Sequence, residues 1–401
     1  MTLVINKYST PIIHILETIL IFTPFLFPAF SPSVFFSGVF VQFYLFNFFI
    51  LLIRFQEVEW VNYRIYLILA TLVGFSIGFG SIFSRNSSLF DVGYLLIFIY
   101  VPFLHSYVCR RGFLWFDFLS LFVFANFLYS VLQIIMYYSG FAHFTNFHSN
   151  IPSQKEAEYT IPLGSYVSFP RFSGLFNESG PLVFFSSIAM LVLIELRELK
   201  GVFNYAIILS FTMILFSQSK FSFLFIPVFI LEMAIIYFCK RFFAESKLVS
   251  KVITGVMLSV IFLFAYLSFD GIDHINNELS VWLPSFFERS SNLERSSKFN
   301  FEDLSLGVGF TSSSSYRDSQ GLDILSVVGR GLGLPGLIII FILISLVFSY
   351  SFTFSFSFLF AILLGMSSNG SLLISHYVIF LVSVLQIKYL ALRGMTGAIL
   401  K

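Results

Sequence analysis

Charge is what this sequence has least of. Asp, Glu, Lys and Arg make up 11% of its 401 residues, against roughly a quarter of an average soluble domain. The formal net charge is only +2, so the charge balance gives no reason to expect a nucleic-acid partner. Hydrophobic residues instead supply 57% of the chain, a share that favours a membrane protein over a water-soluble one.

Cysteine is scarce, and the Walker and HExxH motifs are missing. Cys109 and Cys239 lie far apart beside basic residues, which predicts neither a structural disulfide nor a metal ligand set. Without a Walker or HExxH motif, phosphate-loop NTPase and zinc-hydrolase functions have no support. We expect no metal and no cofactor. The two halves of the chain do not match in loop length or in Gly and Pro interruptions, as those of an inverted-repeat transporter often do.

Long apolar runs, by contrast, recur along the whole chain. A run of about 18 or more apolar residues can cross a bilayer as a helix, whereas barrel strands alternate over about ten residues. The sequence therefore predicts an all-α polytopic integral membrane protein, with a single membrane domain over residues 1–401. We expect about twelve transmembrane helices, near residues 11–29, 34–53, 65–83, 90–108, 113–138, 181–196, 202–218, 221–239, 250–268, 323–348, 354–371 and 372–390.

Two long polar connections interrupt this pattern, at residues 139–180 and 269–322. Lys and Arg collect in the cytoplasmic connections of membrane proteins, and this bias gives the orientation. The short connections on one side hold only Arg85 and Lys220. Both termini are therefore predicted to be cytoplasmic and both long loops to face outward. The cytoplasmic side then holds fourteen cations: Lys7, Arg54, Arg64, Arg110, Arg111, Arg197, Lys200, Lys240, Arg241, Lys247, Lys251, Lys388, Arg393 and Lys401.

The two outward loops concentrate the polar side chains on which chemistry could depend. Arginine grips phosphate through a planar, bidentate fork, and a nearby carboxylate could take a proton from a hydroxyl group. Arg171 and Glu178 stand out because they precede the start of a helix that has Pro181 in its first turn. Glu178 has an alternative role as a helix cap, since a carboxylate is favoured at a helix N-terminus. For the other charged residues of the two loops, the alternative role is only to keep the loop surface in contact with water.

The segment Arg171–Ser179 resembles the RxxGxFxEPS segment of the O-antigen polymerase (Wzy) family and of the related O-antigen ligases. The family proline is displaced here, because Gly180 and Pro181 follow Ser179. A short outward turn, Ser217–Lys220, is similar to the family's Ser-Arg turn, with Lys in place of Arg. The residues that match the first segment are Arg171, Gly174, Phe176, Glu178 and Ser179.

Shorter matches follow in the same order along the second outward loop. Asn292–Arg295 and Leu306–Phe310 resemble the family's R…GxGF segment. Leu322–Leu325 and Gly331–Gly336 resemble the helix that leaves this loop with a GxxG step. The order of the matches, their predicted side of the membrane and the span count together indicate the superfamily.

The resemblance implies a metal-independent glycosyltransferase of the bacterial inner (cytoplasmic) membrane, with its active site facing the periplasm. Such a polymerase serves lipopolysaccharide biosynthesis by transferring a growing glycan from its lipid carrier to the next repeat unit. The implied donor and acceptor are both undecaprenyl-pyrophosphate-linked oligosaccharides. A chain-length-regulating co-polymerase of the Wzz type is an implied partner.

The same resemblance implies roles for particular side chains. Arg171, Lys220 and Arg295 match family positions that would hold the pyrophosphate. Arg317 and Arg330 are further candidates for this role by location alone. The acceptor hydroxyl needs a base, and the two candidates for it are Glu178 and Asp318.

Two other functions stay open from the sequence. Ligases of the superfamily, which transfer glycan to the lipid A core, typically carry a His near the end of the second outward loop. This chain has Asp318 and Ser319 in that place, which favours a polymerase. A lipid-linked oligosaccharide flippase would use charges within the membrane, but it would not need two long outward loops.

Polar residues inside the predicted spans have structural interpretations as well. We expect His105 to be a packing histidine whose hydrogen bonds are satisfied. Asp117 and Glu232 lie near cytoplasmic helix ends, where we expect their carboxylates to reach the membrane interface.

Overall fold

A computed structural model of the chain shows that most of its described part is helical. The predicted helical character is therefore confirmed there, apart from one β-hairpin and short turns. The predicted spans near 11–29 and 34–53 lie outside the described residues, as does nearly all of the span near 250–268. The structure describes residues 63–82, 89–111, 115–139, 157–160, 166–169, 172–175, 179–200, 204–217, 220–242, 252, 255–256, 333–349, 353–365 and 380–390.

The helices follow the apolar runs of the sequence. Each predicted span that falls wholly or partly in the described ranges overlaps a helix, while the total of twelve spans stays a prediction. Among the described residues, one helix, α3, is long and apolar enough to cross a bilayer by its length and composition. In chain order the helices are α1 Arg64–Ile82, α2 Leu89–Arg111, α3 Trp115–Tyr138, α4 Ser179–Lys200, α5 Tyr205–Phe216, α6 Lys220–Phe242, α7 Leu334–Ser349, α8 Ser355–Gly365 and a further helical segment, α9 Phe380–Leu390.

The β-hairpin lies within the first long loop. Strands β1 Ala157–Thr160 and β2 Tyr166–Phe169 pair antiparallel, so that Ala157 stands opposite Phe169. It is an addition to the predicted all-helical architecture.

Helix α7 begins later than the sequence predicted. The predicted span starts at residue 323, whereas α7 begins at Leu334, directly after Gly333 with φ 66°. A left-handed backbone suits glycine and stops a helix from running through, and Pro335 is well placed in a first helical turn. The amide of Leu337 donates to the carbonyl of Gly333 at 3.2 Å and closes that turn.

Helix α4 is the centre of the packing. The residues from Leu182 to Leu193 are all buried, as expected for a helix that is covered on every side. Helices α3, α5, α6 and α8 pack against it. One such contact is the edge-to-face pair of Phe122 on α3 and Phe185 on α4, whose ring centroids are 4.9 Å apart.

From Asn126 onward the buried face of helix α3 is polar, whereas its first half buries apolar side chains such as Phe118 and Phe122. Asn126, Ser130 and Gln133 share one face and are at most 2% exposed. About half a turn away round the helix, a stripe of large apolar side chains is between 46% and 62% exposed. A water-soluble helix shows the reverse pattern, with its apolar face toward the core. The exposed stripe consists of Leu121, Phe124, Leu128, Leu132 and Ile135.

A buried polar cluster joins the start of α1, the end of α2 and α9. The Tyr63 hydroxyl lies 2.7 Å from Nδ1 of His105, so the prediction that His105 is a satisfied packing histidine is confirmed. Gln386 Nε2 donates to Sγ of Cys109 at 3.2 Å. Neither Cys109 nor Cys239 is part of a disulfide, also as predicted.

Two buried carboxylates hold the start of α8. Glu232 on α6 is only 1% exposed, so the prediction that it reaches the membrane interface is wrong. Its Oε1 accepts from the amide of Phe356 at 3.0 Å and its Oε2 from the amide of Ser357 at 2.8 Å. Glu195 on α4 accepts from the amide of Thr353, just before the same helix. Unpaired N–H groups of a first helical turn favour a negative charge, which explains the inward orientation. Asp117, in contrast, is exposed.

Candidate functional site

Within the predicted site, the structure describes a tight turn formed by Phe172–Leu175, which we call the motif turn. Phe172 is buried, and Gly174 adopts the left-handed conformation at φ 59°. A Cβ at position 174 would come within 2.8 Å of Asn126 Oδ1 and 3.0 Å of Leu182 Cδ1. The glycine of the RxxGxF pattern is thus required here both for its backbone conformation and for the close approach to α3 and α4.

Gln133 on α3 holds the first half of the motif turn. Its Oε1 accepts from the amides of Ser173, at 3.1 Å, and Gly174, at 2.9 Å. Its Nε2 donates to Oγ of Ser173 at 3.2 Å and to the carbonyl of Gly174 at 3.4 Å. Both ends of the amide are therefore engaged with the turn.

Asn126, two helical turns earlier on α3, holds the second half. Its Oδ1 accepts from the amide of Leu175 at 3.0 Å, and its Nδ2 donates to the carbonyl of Phe122 at 2.9 Å. Ser130 lies between Asn126 and Gln133 and donates to the carbonyl of Asn126 at 2.8 Å. Burying these groups is tolerable because each is hydrogen-bonded.

The three consecutive N–H groups of Ser173, Gly174 and Leu175 are all taken up by side chains of α3. Successive backbone N–H groups in such a turn otherwise form a concave site for an anion. Because these three donors are occupied, they are not available to bind a phosphate near the motif turn.

The two strongest sequence candidates flank this fixed structure. Arg171 and Glu178 lie outside the described residues, but each is bonded to a described one. Arg171 directly precedes buried Phe172 in the sequence. Glu178 directly precedes Ser179, the first residue of α4, in agreement with the predicted start of a helix.

The remaining predicted site residues belong to the turn between α5 and α6 and to the second outward loop. Lys220 is the first residue of α6, and its side chain lies outside the description. It follows the end of α5, where Oγ of Ser217 donates to the carbonyl of Ile214 at 3.2 Å. The candidates of the second outward loop all lie outside the described residues: Arg295, Arg317, Asp318 and Arg330.

Sequence reasoning missed the residues that hold the motif turn. Asn126, Ser130 and Gln133 follow one another by four and three residues, the spacing of neighbours on one helix face. Three uncharged polar residues on one face of an otherwise apolar span are the signal that could have found them. In the described ranges, no three His, Cys, Asp or Glu side chains come together in a way that could hold a metal ion.

Comparison of the chain with family models, with curated proteins and with solved structures finds no match in any of the three.

Proposed function

We propose that the chain is a membrane glycosyltransferase that polymerises undecaprenyl-pyrophosphate-linked oligosaccharide repeat units into O-antigen or a similar surface polysaccharide. The observation that carries this proposal is the motif turn. It belongs to the sequence segment that resembles the polymerases, and three buried or half-buried amides of the turn are bonded to α3. A loop that served only to connect two helices would not need such a hold.

The distribution of polar and apolar side chains on α3 supports the membrane part of the proposal. Its exposed apolar stripe suits lipid chains, and its buried polar face suits contact with other helices of the same protein. Helix ends that are predicted to lie on the same side of the membrane contact one another, which supports their shared side. For example, Trp115 at the start of α3 donates to Ser383 on α9 at 2.9 Å.

The proposed reaction needs a hold on the leaving group and a base. The acceptor hydroxyl oxygen forms a bond with the anomeric carbon of the donor glycan, and the bond from that carbon to the lipid pyrophosphate breaks with its electron pair. Arg171, Lys220 and Arg295 would stabilise the departing pyrophosphate, with Arg317 and Arg330 as further cations. Either Glu178 or Asp318 would take the hydroxyl proton.

Purified protein and lipid-linked repeat units test the proposal directly. We expect wild-type protein to produce a ladder of polymers, and we expect Glu178→Gln or Asp318→Asn to abolish it while the protein still inserts in the membrane. Arg171→Lys keeps the charge but loses the bidentate fork, which should cost roughly 2–4 kcal/mol in the transition state, or about thirty- to thousandfold in rate. Arg197→Lys, at an exposed position near the other end of α4, is the matched control.

The same assay separates the alternatives. Glycan transfer to lipid A core, without polymer growth, would show a ligase instead. Movement of single repeat units across a vesicle membrane, with no new glycosidic bond, would show a flippase. Full activity of Glu178→Gln and of Asp318→Asn would show that neither carboxylate is the base.

A further inference from the structure

Gln133 is a buried amide that is hydrogen-bonded to a distant part of the chain. It is 2% exposed, and Ser173 and Gly174, its partners, lie 40 and 41 residues away in sequence. A buried amide costs about 1–3 kcal/mol unless it is hydrogen-bonded, so a leucine would fill the same place more simply. What the amide adds over a leucine is its set of hydrogen bonds to the motif turn.

Asn126 extends this hold along the turn. Gln133 fixes the amides of positions 173 and 174, and Asn126 fixes the amide of position 175, so the backbone is set at three successive residues. The left-handed Gly174 gives the chain its change of direction at the centre. In the sequence, Arg171 directly precedes the motif turn, and Glu178 directly precedes Ser179, the first residue of α4.

We propose that Gln133 and Asn126 are positioning residues, which orient Arg171 toward the lipid pyrophosphate by fixing the motif turn. This inference rests on the proposed polymerase function. Neither residue needs to touch substrate. Their contribution is to keep the Arg171 backbone still, so that the guanidinium meets the pyrophosphate in the transition state without first being ordered.

The test compares two identical substitutions in the purified polymerisation assay. Gln133→Leu removes the amide that holds the motif turn, whereas Gln386→Leu removes a buried amide near the Tyr63–His105 cluster. For Gln133→Leu we expect kcat to fall about ten- to hundredfold, because misplacing a reacting group by about 1 Å has effects of that size. KM should change much less, and Gln386→Leu should keep near-normal kcat per folded molecule.

A conservative variant and a double variant distinguish positioning from mere folding. Gln133→Glu keeps the acceptor oxygens for Ser173 and Gly174, so it should recover part of the lost kcat. In an Arg171→Lys background, Gln133→Leu should have little further effect, because both changes remove the same interaction.

Each outcome bears on a different claim. If wild-type protein makes no polymer, the proposed function fails and the positioning role fails with it. If wild-type protein is active but Gln133→Leu matches Gln386→Leu in kcat, the positioning role alone is overturned. It is also overturned if the effects of Gln133→Leu and Arg171→Lys multiply, since the glutamine would then act independently of the arginine.

Discussion

Two regions of the molecule need acceptors for backbone N–H groups and obtain them from different side chains. One is the motif turn, at the predicted outer end of α3, and the other is the start of α8, at the predicted inner side. In both places successive backbone N–H groups lack partners in their own segment, and side chains of a neighbouring helix accept from them. At the motif turn the acceptors are the neutral amides of Asn126 and Gln133. At the start of α8 they are the carboxylates of Glu195 and Glu232.

The partners explain the choice of side chain. The motif turn presents acceptors as well as donors. The amide of Gln133 can bond to both, because its Oε1 accepts and its Nε2 donates to Ser173 and Gly174. A carboxylate could only accept. The start of α8 presents donors, and the helix dipole there favours a negative charge. An amide therefore suits a turn that needs both a donor and an acceptor. A carboxylate suits the first turn of a buried helix, which presents only N–H donors.

The first prediction would break the comparison, since it asks whether the two regions lie on opposite sides of the membrane. In a Cys109→Ala/Cys239→Ala background, Ser139→Cys should react with a membrane-impermeant thiol reagent from outside the cell. Lys388→Cys should react only after lysis. Both positions are exposed, Ser139 just after α3 and Lys388 near the end of α9. The expected effect is all-or-none, and the reverse labelling pattern would invert the orientation and remove the argument for an outward site.

The second prediction concerns the carboxylate that starts α8. Glu232→Ala leaves the amides of Phe356 and Ser357 without their acceptor, which should lower the free energy of unfolding by about 2–4 kcal/mol. Glu232→Gln keeps one acceptor oxygen and should lose less. Thermal unfolding in detergent measures both, with Asp117→Ala at an exposed carboxylate as the control. Equal melting temperatures for Glu232→Ala and Asp117→Ala would mean that α8 starts without help from Glu232.

The third prediction has the smallest effect and sharpens the description of the motif turn. Gly174→Ala must place a side chain at φ 59° and against Asn126, which should cost about 1–2 kcal/mol. Gly78→Ala, in α1 with nothing within 4 Å of the added Cβ, should instead stabilise by about 0.5–1 kcal/mol. Melting temperatures should therefore move in opposite directions. A Gly174→Ala protein as stable as wild type would show that the turn can adopt another conformation.

The helices were predictable because their signal is local. Apolar runs mark α1 to α6 closely: α3 ends at Tyr138, as predicted, and α4 begins at Ser179, two residues before the predicted span. The start of α7 was misplaced because an apolar run does not reveal the left-handed conformation of Gly333. The hairpin was missed because AEYT and YVSF are short strands within a polar loop.

The support for the motif turn could not be predicted, because it is non-local. Gln133 and Asn126 contact residues 40 to 49 positions away, and no periodicity links a helix to a particular turn. Glu232 was misjudged for a related reason. Its partners, Phe356 and Ser357, are 124 and 125 residues away in a segment whose sequence reads only as repeated Ser and Phe. The chain signals which residues are polar, and only the fold shows what they hold.

The bond between Trp115 and Ser383 has a consequence for how the protein is made. The two residues are 268 positions apart, so α3 leaves the ribosome long before its partner α9 exists. At about 5–20 residues per second, the delay is roughly 15–50 s. This hydrogen bond can therefore form only once α9 has been synthesised and has packed beside α3.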